Sequence, residues 1–489
     1  MPMDINNRLY RAEQVGELDR RAIEDHGIDG FELMQRAGSA VFKTIRARYP
    51  EAKSLVACCG GGNNGGDGYV VASLARNAGF QVRVIAMKSP EELGGDARRA
   101  ADAWLDGGGP VSDPDGEIEA DVIVDALLGT GLDREVRDDY AALIESIDAS
   151  DAAVVAVDVP SGLHADTGMP LGAAVRADVT VSFIGRKRGL ETGRAPDFTG
   201  TLLFDDLDVP DAVYRDLKPD SERLSGDALE QFLPARARSI HKGALGHVLI
   251  CGGDYNMPGA VVLAARSALM TGSGLVSVAT RREHSISLAG SLPEAMWADG
   301  EDGDVLDTLA ARADVVALGP GLGTSDWSRE VWRRLLKHDL PVVLDADGLN
   351  LLAEHGFERR DWILTPHPGE AARLLESCTV DVQRDRFAAV RELAKRFDAV
   401  VVLKGAGTLV ANPDGQVRVC AFGNPAMATA GMGDALTGIV SSLAGQGVDL
   451  FDAACAGVVL HARAGDAAGE NRRAILAGEL IDALPRVLP

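Results

Sequence analysis

Short runs rich in valine, isoleucine and leucine alternate with longer stretches of helical period along nearly the whole chain, the pattern of parallel sheets covered on both faces. In the first half the predicted strands are 54–60, 81–87, 121–129, 153–162, 178–185 and 201–207. In the second half they are 247–253, 274–280, 314–321, 341–348, 362–369, 399–407 and 416–422. Between the two sets, "VPDAVYRDLKPDSERLSGD" (209–227) is polar, carries two prolines and shows no long apolar period. The pattern therefore predicts two α/β domains, 1–215 and 222–489. No short repeat, low-complexity tract or heptad appears, which removes the solenoid and scaffold readings.

Composition narrows this picture. A chain of 489 residues exceeds the usual size of one hydrophobic core. No apolar stretch approaches the ~20 residues that span a bilayer, and "MPMDINNRLYRAEQ" has no charged-then-apolar leader pattern, so a cytoplasmic protein is expected. The six cysteines show no repeated CxxC spacing, and a reducing compartment without a zinc site follows. The net charge of −24 opposes nucleic acid and anionic membrane as partners. Lysine occurs only at 43, 53, 88, 187, 218, 242, 337, 395 and 404, the remaining cations being arginine. Acidity with so little lysine resembles proteins of salt-loving cells, an acidic, GC-biased mesophile being the alternative.

The stretch "CGGGNNGGDGYVVA" (59–72) sets clustered glycines between a strand ending at Cys58 or Cys59 and a helix expected from about Tyr69 to Ala78. There a parallel sheet exposes its carboxyl edge, where open α/β sheets bind ligands. Glycines permit positive φ and close approach, and successive N–H groups favour a phosphate. The loop reads as a nucleotide site but matches neither G-x-G-x-x-G nor the Walker pattern. "DALLGTGLDREV" (125–136) and "VDVPSGLHADTG" (157–168) follow two further strands, and three such loops on one edge enclose a single pocket. Oxygens of Asn64, Asp125 and Ser161 would also suit a weakly hydrated cation.

Together "GGGNNGGDG", "DALLGTG", "DVPSG" and the helix "FELMQRAG" (31–38) resemble the NAD(P)H-hydrate epimerase domain over about the first 210 residues. The resemblance implies a Rossmann-like three-layer fold and interconversion of the R and S forms of hydrated NADH and NADPH. It implies that Asn63, Asn64, Gly65, Gly66 and Asp67 contact the dinucleotide. So would Gly129, Thr130, Gly131, Leu132, Asp133, Arg134 and Glu135, together with Asp158 and, as an addition, Tyr140. It implies K⁺ on Asn64, Asp125 and Ser161. Asp158 is our choice for the proton-handling group beside the C6 centre.

In the second half, "GGDYNMPGA" (252–260) places Gly259 and Ala260 at a helix opening near Pro258, a ligand approach or a plain packing role. "GPGLG" (319–323) and "TPHPGE" (365–370) prolong later strand ends, and His367 is expected in an extended, exposed loop. In "GNPAMATAGMGDALTGIVSSLAGQG" (423–447), Gly431, Met432 and Gly433 precede Asp434 and a helix, giving an anion hole beside a carboxylate. That pairing suits phosphoryl transfer to a hydroxyl.

"MPGA", "GPGLG", "DADGLN", "TPHPGE", "LKGAGT" and "GNPAMATAGMGD", in that order, resemble the ADP- or ATP-dependent NAD(P)H-hydrate dehydratase, a ribokinase-like fold, from about Ser225 onward. The resemblance implies that Ala260, Gly321, His367 and Asp434 line the hydrate site. It implies that Lys404, Gly405, Ala406, Gly407, Thr408 and Gly433 hold the nucleotide. Asp434 would activate the C6 hydroxyl for phosphorylation, with Mg²⁺ expected to neutralise phosphate charge. Likeness to archaeal and bacterial members favours ADP. Met432 stands where many relatives have a small residue, and its side chain is expected to crowd the nucleotide.

The two resemblances imply a bifunctional repair enzyme, returning both epimers of NAD(P)H hydrate to NAD(P)H at the expense of ADP or ATP, and acting as a homo-oligomer on small molecules. The rivals are a ribokinase-like small-molecule kinase and, for the first half, a module that only binds a nucleotide or a protein.

Overall fold

The computed structural model describes residues 5–113, 118–226, 228–233 and 236–489. It divides into two compact units, Met1–Glu222 and Arg223–Pro489. None of their helices is long and apolar enough to cross a membrane, among the described residues.

In the first unit the parallel strands are β1 (Ser54–Cys59), β2 (Gln81–Ala86), β3 (Val111–Ser112), β4 (Val122–Ala126), β5 (Ala153–Val157), β6 (Val179–Phe183) and β7 (Thr201–Asp205). Their spatial order is β3-β2-β1-β4-β5-β6-β7, the doubly wound order of dinucleotide-binding sheets with one strand added at the edge. Alternation along β1 shows why the sheet is covered twice. Leu55, Ala57 and Cys59 join one buried cluster with the helices α1 (Gly30–Arg48), α2 (Asn63–Asn77) and α3 (Gly95–Asp106). Val56 and Cys58 join another with α4 (Asp138–Asp148). Apart from this sheet, Arg8–Tyr10 pairs with Arg186–Lys187 in parallel and with 221–222 in antiparallel register.

α2 opens at Asn63, six residues before the predicted start. The prediction failed because three glycines in the first two turns each cost about 1 kcal/mol of helix propensity. None of the glycines from 60 to 68 has a positive φ, so conformational freedom is not their use. A Cβ on Gly65 would lie 2.1 Å from the Gly60 carbonyl oxygen, one on Gly66 2.6 Å from Met34 Cε, and one on Gly68 2.7 Å from Ala126 Cβ. They let α2 pack directly on β1, β4, α1 and α3.

In the second unit the strands are β8 (His247–Cys251), β9 (Leu275–Thr280), β10 (Met296–Asp299), β11 (Val315–Leu318), β12 (Val342–Leu344), β13 (Trp362–Leu364), β14 (Val400–Leu403), β15 (Thr408–Ala411) and β16 (Val417–Cys420). They run in the order β10-β9-β8-β11-β12-β13-β14-β15-β16. All neighbouring pairs are parallel except β14–β15 and β15–β16. The predicted strands are all present, most of them trimmed at their carboxyl ends. β3, β10 and β15 were not predicted, being short and partly polar. The helices α5 (Pro258–Thr271), α7 (Met432–Gly445) and α8 (Leu450–Gly469) share one core cluster with this sheet, and α6 (Asp347–His355) follows β12. Their closeness rests on small residues, since a Cβ on Gly438 would lie 2.1 Å from the Ala264 carbonyl oxygen.

Candidate active sites

The carboxyl ends of β1, β4, β5 and β6 open into a cavity of about 1200 Å³. Asn63, Asn64, Asp67, Gly129 through Glu135, Tyr140 and Asp158 line it, as the three-loop reading of the sequence requires. Gly65 and Gly66 do not; both are buried against protein.

Asn64, Asp125 and Ser161 meet just beneath the cavity. Ser161 Oγ lies 2.5 Å from Asp125 Oδ1, and Asp125 Oδ2 accepts from the Ser161 N–H at 2.7 Å. The Leu128 carbonyl is 3.2 Å from both Ser161 Oγ and Asn64 Nδ2. Asp125 is wholly buried, and among the described residues no basic side chain pairs with it. Burial pushes its carboxyl up to about 6, against the lowering effect of its hydrogen bonds from Ser161. A buried carboxylate lacking a counter-charge, with the Ser161 hydroxyl and the Leu128 carbonyl close by, offers oxygen donors that fit a monovalent cation. No group of three or more His, Cys, Asp or Glu side chains, among the described residues, forms a transition-metal site.

Asp158 sits in the left-handed region at φ 64°. Its carboxylate accepts from Lys187 Nζ, from the Phe183 N–H at 3.1 Å and from Ser182 Oγ at 3.3 Å. Lys187 is 1% exposed and also donates to the Phe183 carbonyl at 3.0 Å. Asp19 and Asp67 are among the further carboxyls that line the cavity with this pair. Burial, then the charges of Asp158 and Asp19, hold Asp67 well above the usual carboxylate range. Burial pushes Asp19 up to about 6; Lys187 opposes this and Asp158 adds to it. The site thus sets Asp158, held by the buried Lys187, beside two carboxyls whose proton affinity burial raises, a grouping suited to acid–base chemistry.

In the second unit, α7 begins at Met432, so Met432 and Gly433 belong to the first turn rather than preceding it. Gly431 caps it at φ 87°, where a Cβ would strike Leu263 Cδ1 at 2.6 Å. The Met432 side chain is 8% exposed and lies in the core, because this face of α7 packs inward; it does not crowd the site. A Cβ on Gly433 would stand 3.4 Å from Lys404 Nζ and 3.6 Å from Asp345 Oδ2. Free N–H groups of the helix, an ammonium and the Asp434 carboxylate therefore converge. Burial, then the negative charge of Asp345, pushes Asp434 up to about 7 against the pull of Lys404.

Asp345 is buried and receives Lys404 Nζ at 2.7 Å, Thr365 Oγ1 at 2.8 Å and Thr437 Oγ1 at 2.8 Å. Burial would raise its carboxyl, but the Lys404 charge and these hydrogen bonds outweigh it and hold it below the usual range. Burial pulls Lys404 down, and Asp345 and Glu370 more than restore it. His367 has the extended backbone expected of it and is half exposed, but it is a helix cap: its Nδ1 accepts from the Gly369 N–H at 3.0 Å, and its own N–H donates to Glu370 at 2.7 Å. Burial and the Lys404 charge hold its imidazole below its usual value. Ala260 and Gly321 adjoin, a Cβ on Gly321 falling 3.0 Å from that of Ala260. The loop Lys404–Thr408 is closed by Thr408 Oγ1 donating to the Gly405 carbonyl at 2.9 Å.

Reading the sequence missed Asp19, Lys88, Lys187, Asp345 and Glu370 as site residues. The signal was present in the lysines: in a chain with only nine of them, Lys88, Lys187 and Lys404 each follow a strand end of a parallel sheet. A compact ammonium fits where a guanidinium fork does not.

The family model described as YjeF-related protein N-terminus matches residues 30–189, and that of NAD(P)H-hydrate dehydratase matches 248–486. The bifunctional NAD(P)H-hydrate repair enzyme Nnr of Coxiella burnetii is 47% identical over 485 residues, covering 98% of this chain and 99% of that one. Its namesake from Escherichia coli is 41% identical, covering 100% and 95%. Among solved structures, a ribokinase-like superfamily protein from Enterococcus faecalis is similar with a TM-score of 0.52 at 26% identity, covering 55% of this chain and 95% of that one. A hypothetical protein from Streptococcus mutans gives 0.52 at 29%, covering 54% and 98%. With relatives this similar from end to end, the chain belongs to the family of bifunctional NAD(P)H-hydrate repair enzymes.

Proposed function

We propose that residues 1–215 epimerise the R and S forms of NAD(P)H hydrate, and that residues 222–489 dehydrate the S form to NAD(P)H. The observation that carries this is the presence in one chain of two dissimilar sites, each suited to one step. The Asp158–Lys187 site has proton-handling groups around a cavity large enough for a dinucleotide. The Asp434 site has a base beside an anion hole.

In the first site the hydrate lies with its nicotinamide end toward Asp158 and its phosphates along Asn63 to Asp67 and Gly129 to Glu135. Asp158 takes and returns protons at the C6 centre, Lys187 holds it in place, and Tyr140 borders the bound dinucleotide. K⁺ on Asn64, Asp125 and Ser161 would supply positive charge under the phosphate loops.

In the second site, Ala260, Gly321 and His367 border the hydrate, and Lys404 to Thr408 with Gly433 hold the nucleotide. Asp434 removes the proton of the C6 hydroxyl as its oxygen takes the terminal phosphoryl of ADP, releasing AMP. The C6–O bond then breaks, inorganic phosphate leaves, and loss of the neighbouring proton restores the reduced nicotinamide. Lys404 and the N–H groups of α7 bear the moving negative charge. Mg²⁺ would be carried mainly on the nucleotide phosphates. The reading takes ADP ahead of ATP, further copies of the chain as the only macromolecular partner, and a cytoplasm rich in KCl, for which the charge of −24 is suited.

The test is recovery of the near-ultraviolet absorbance of reduced nicotinamide from mixed R and S hydrate, with KCl, Mg²⁺ and either ADP or ATP. Full recovery, faster than spontaneous epimerisation, is expected. Recovery that stops at the S fraction overturns the epimerase, and a stable phosphorylated product returns the kinase reading.

A further inference from the structure

The sheet of the first unit has the strand order of dinucleotide-binding folds, in which the carboxyl end of the second strand reads the adenosine ribose. An acidic residue there binds the free 2′-hydroxyl and repels a 2′-phosphate, whereas a cation accepts the phosphate. In this chain the second strand, β2, ends at Ala86, and Met87 still donates to the Cys59 carbonyl at 3.0 Å, holding the segment beside the first loop. Lys88 follows. It is exposed, lines the cavity and makes no hydrogen bond or ion pair among the described residues. Its stem crosses Gly61, where a Cβ would meet Lys88 Cδ at 2.6 Å and Cε at 2.9 Å, so a bare residue in the loop admits the side chain. Of the two acids on the helical turn beyond, Glu91 and Glu92, the second is engaged by the Ser89 N–H and hydroxyl at 3.2 and 3.3 Å.

From this juxtaposition of Lys88 with the glycine loop at the end of the second strand, we infer that Lys88 receives a ribose 2′-phosphate and makes the epimerase site selective for NADPH hydrate over NADH hydrate. The inference rests on the epimerase reading proposed above. An ammonium–phosphate contact of this kind acts on substrate binding and leaves the chemistry at the far end of the molecule alone.

The test is epimerisation of purified R-NADHX and R-NADPHX, followed separately by chromatography of the epimers, with full-length wild type, K88A, K88E and K88R. Wild type is expected to favour NADPHX in kcat/KM. K88A should lower the NADPHX:NADHX ratio about tenfold, mainly through KM, and K88E should lower it further. K88R should hold the ratio within about twofold, because a guanidinium also pairs with phosphate. A ratio unmoved in K88A and K88E overturns the assignment of Lys88, whatever happens to absolute rates. Wild type that epimerises neither hydrate overturns the epimerase reading itself.

Discussion

Lys404 Nζ lies 2.7 Å from Asp345 Oδ1, and the other oxygen of that buried carboxylate is held by Thr437 Oγ1 at 2.8 Å. The pair ties the end of β12 and the end of β14 to the helix that carries Asp434. Removing one partner leaves an uncompensated charge, at a cost of about 3–5 kcal/mol. Asp345→Ala and Lys404→Met are each expected to lower the thermal unfolding temperature of the second unit and to raise the KM for nucleotide at least about tenfold. The double variant should lose less than the sum of the two. Additive losses, in calorimetry and steady-state kinetics, would show that the pair is not a unit.

Asp345 also marks how far the sequence could be read. The parallel strands, the two-domain plan and the loops at strand ends were legible, because buried parallel strands are continuous apolar runs bounded by glycine and proline. "DADGLN" was visible as a motif, but Asp345 as the partner of Lys404 was not, since 59 residues separate them and only the pairing of β12, β13 and β14 brings them together. Lys187 escaped for a different reason: charged residues at a strand end read as solvated, and only tertiary packing makes it 1% exposed. The start of α2 was lost because propensity disfavours glycine where packing demands it.

Asp434 is pushed up to about 7, by burial first and then by Asp345. As a base it acts ionised, so activity is present above its folded pKa and lost as pH falls through it. The dehydration kcat/KM is expected to fall about tenfold per pH unit below about 7 and to level above it. Asp434→Asn should remove about 10²–10⁴ of the rate while leaving epimerisation in the first unit intact. A flat profile between about pH 6 and 8 would exclude Asp434 as the titrating base.

Lys187 holds Asp158 with an ammonium that meets Asp158, Ser182 and the Phe183 carbonyl. Lys187→Met is expected to lower the kcat of epimerisation about 10²-fold with little change in KM, the signature of a misplaced reacting group. Lys187→Arg should recover activity only in part, because a planar fork replaces a compact donor in a closed site. Asp158→Asn should abolish epimerisation and also lower the unfolding temperature of the first unit, because it leaves the buried Lys187 ammonium without its counter-charge. A rise in KM with kcat intact for Lys187→Met would make it a binding residue instead.

The glycines of the first loop can be separated by what surrounds them. A Cβ on Gly65 would lie 2.1 Å from the carbonyl oxygen of Gly60, and that oxygen is backbone, just past the end of β1, in a residue whose N–H is bonded to the Ala126 carbonyl. A Cβ on Gly62, at the cap of the same helix, meets nothing within 4 Å. Neither residue has a positive φ, so a methyl group strains neither backbone directly. Gly65→Ala is therefore expected to destabilise the first unit by about 1–3 kcal/mol through overpacking, seen as an earlier transition in denaturant. Gly62→Ala should change stability by less than about 1 kcal/mol, the ordinary effect of such a cap exchange. If these glycines instead served conformational freedom, both substitutions would cost alike. Equal losses would return the loop to the reading its sequence first invites.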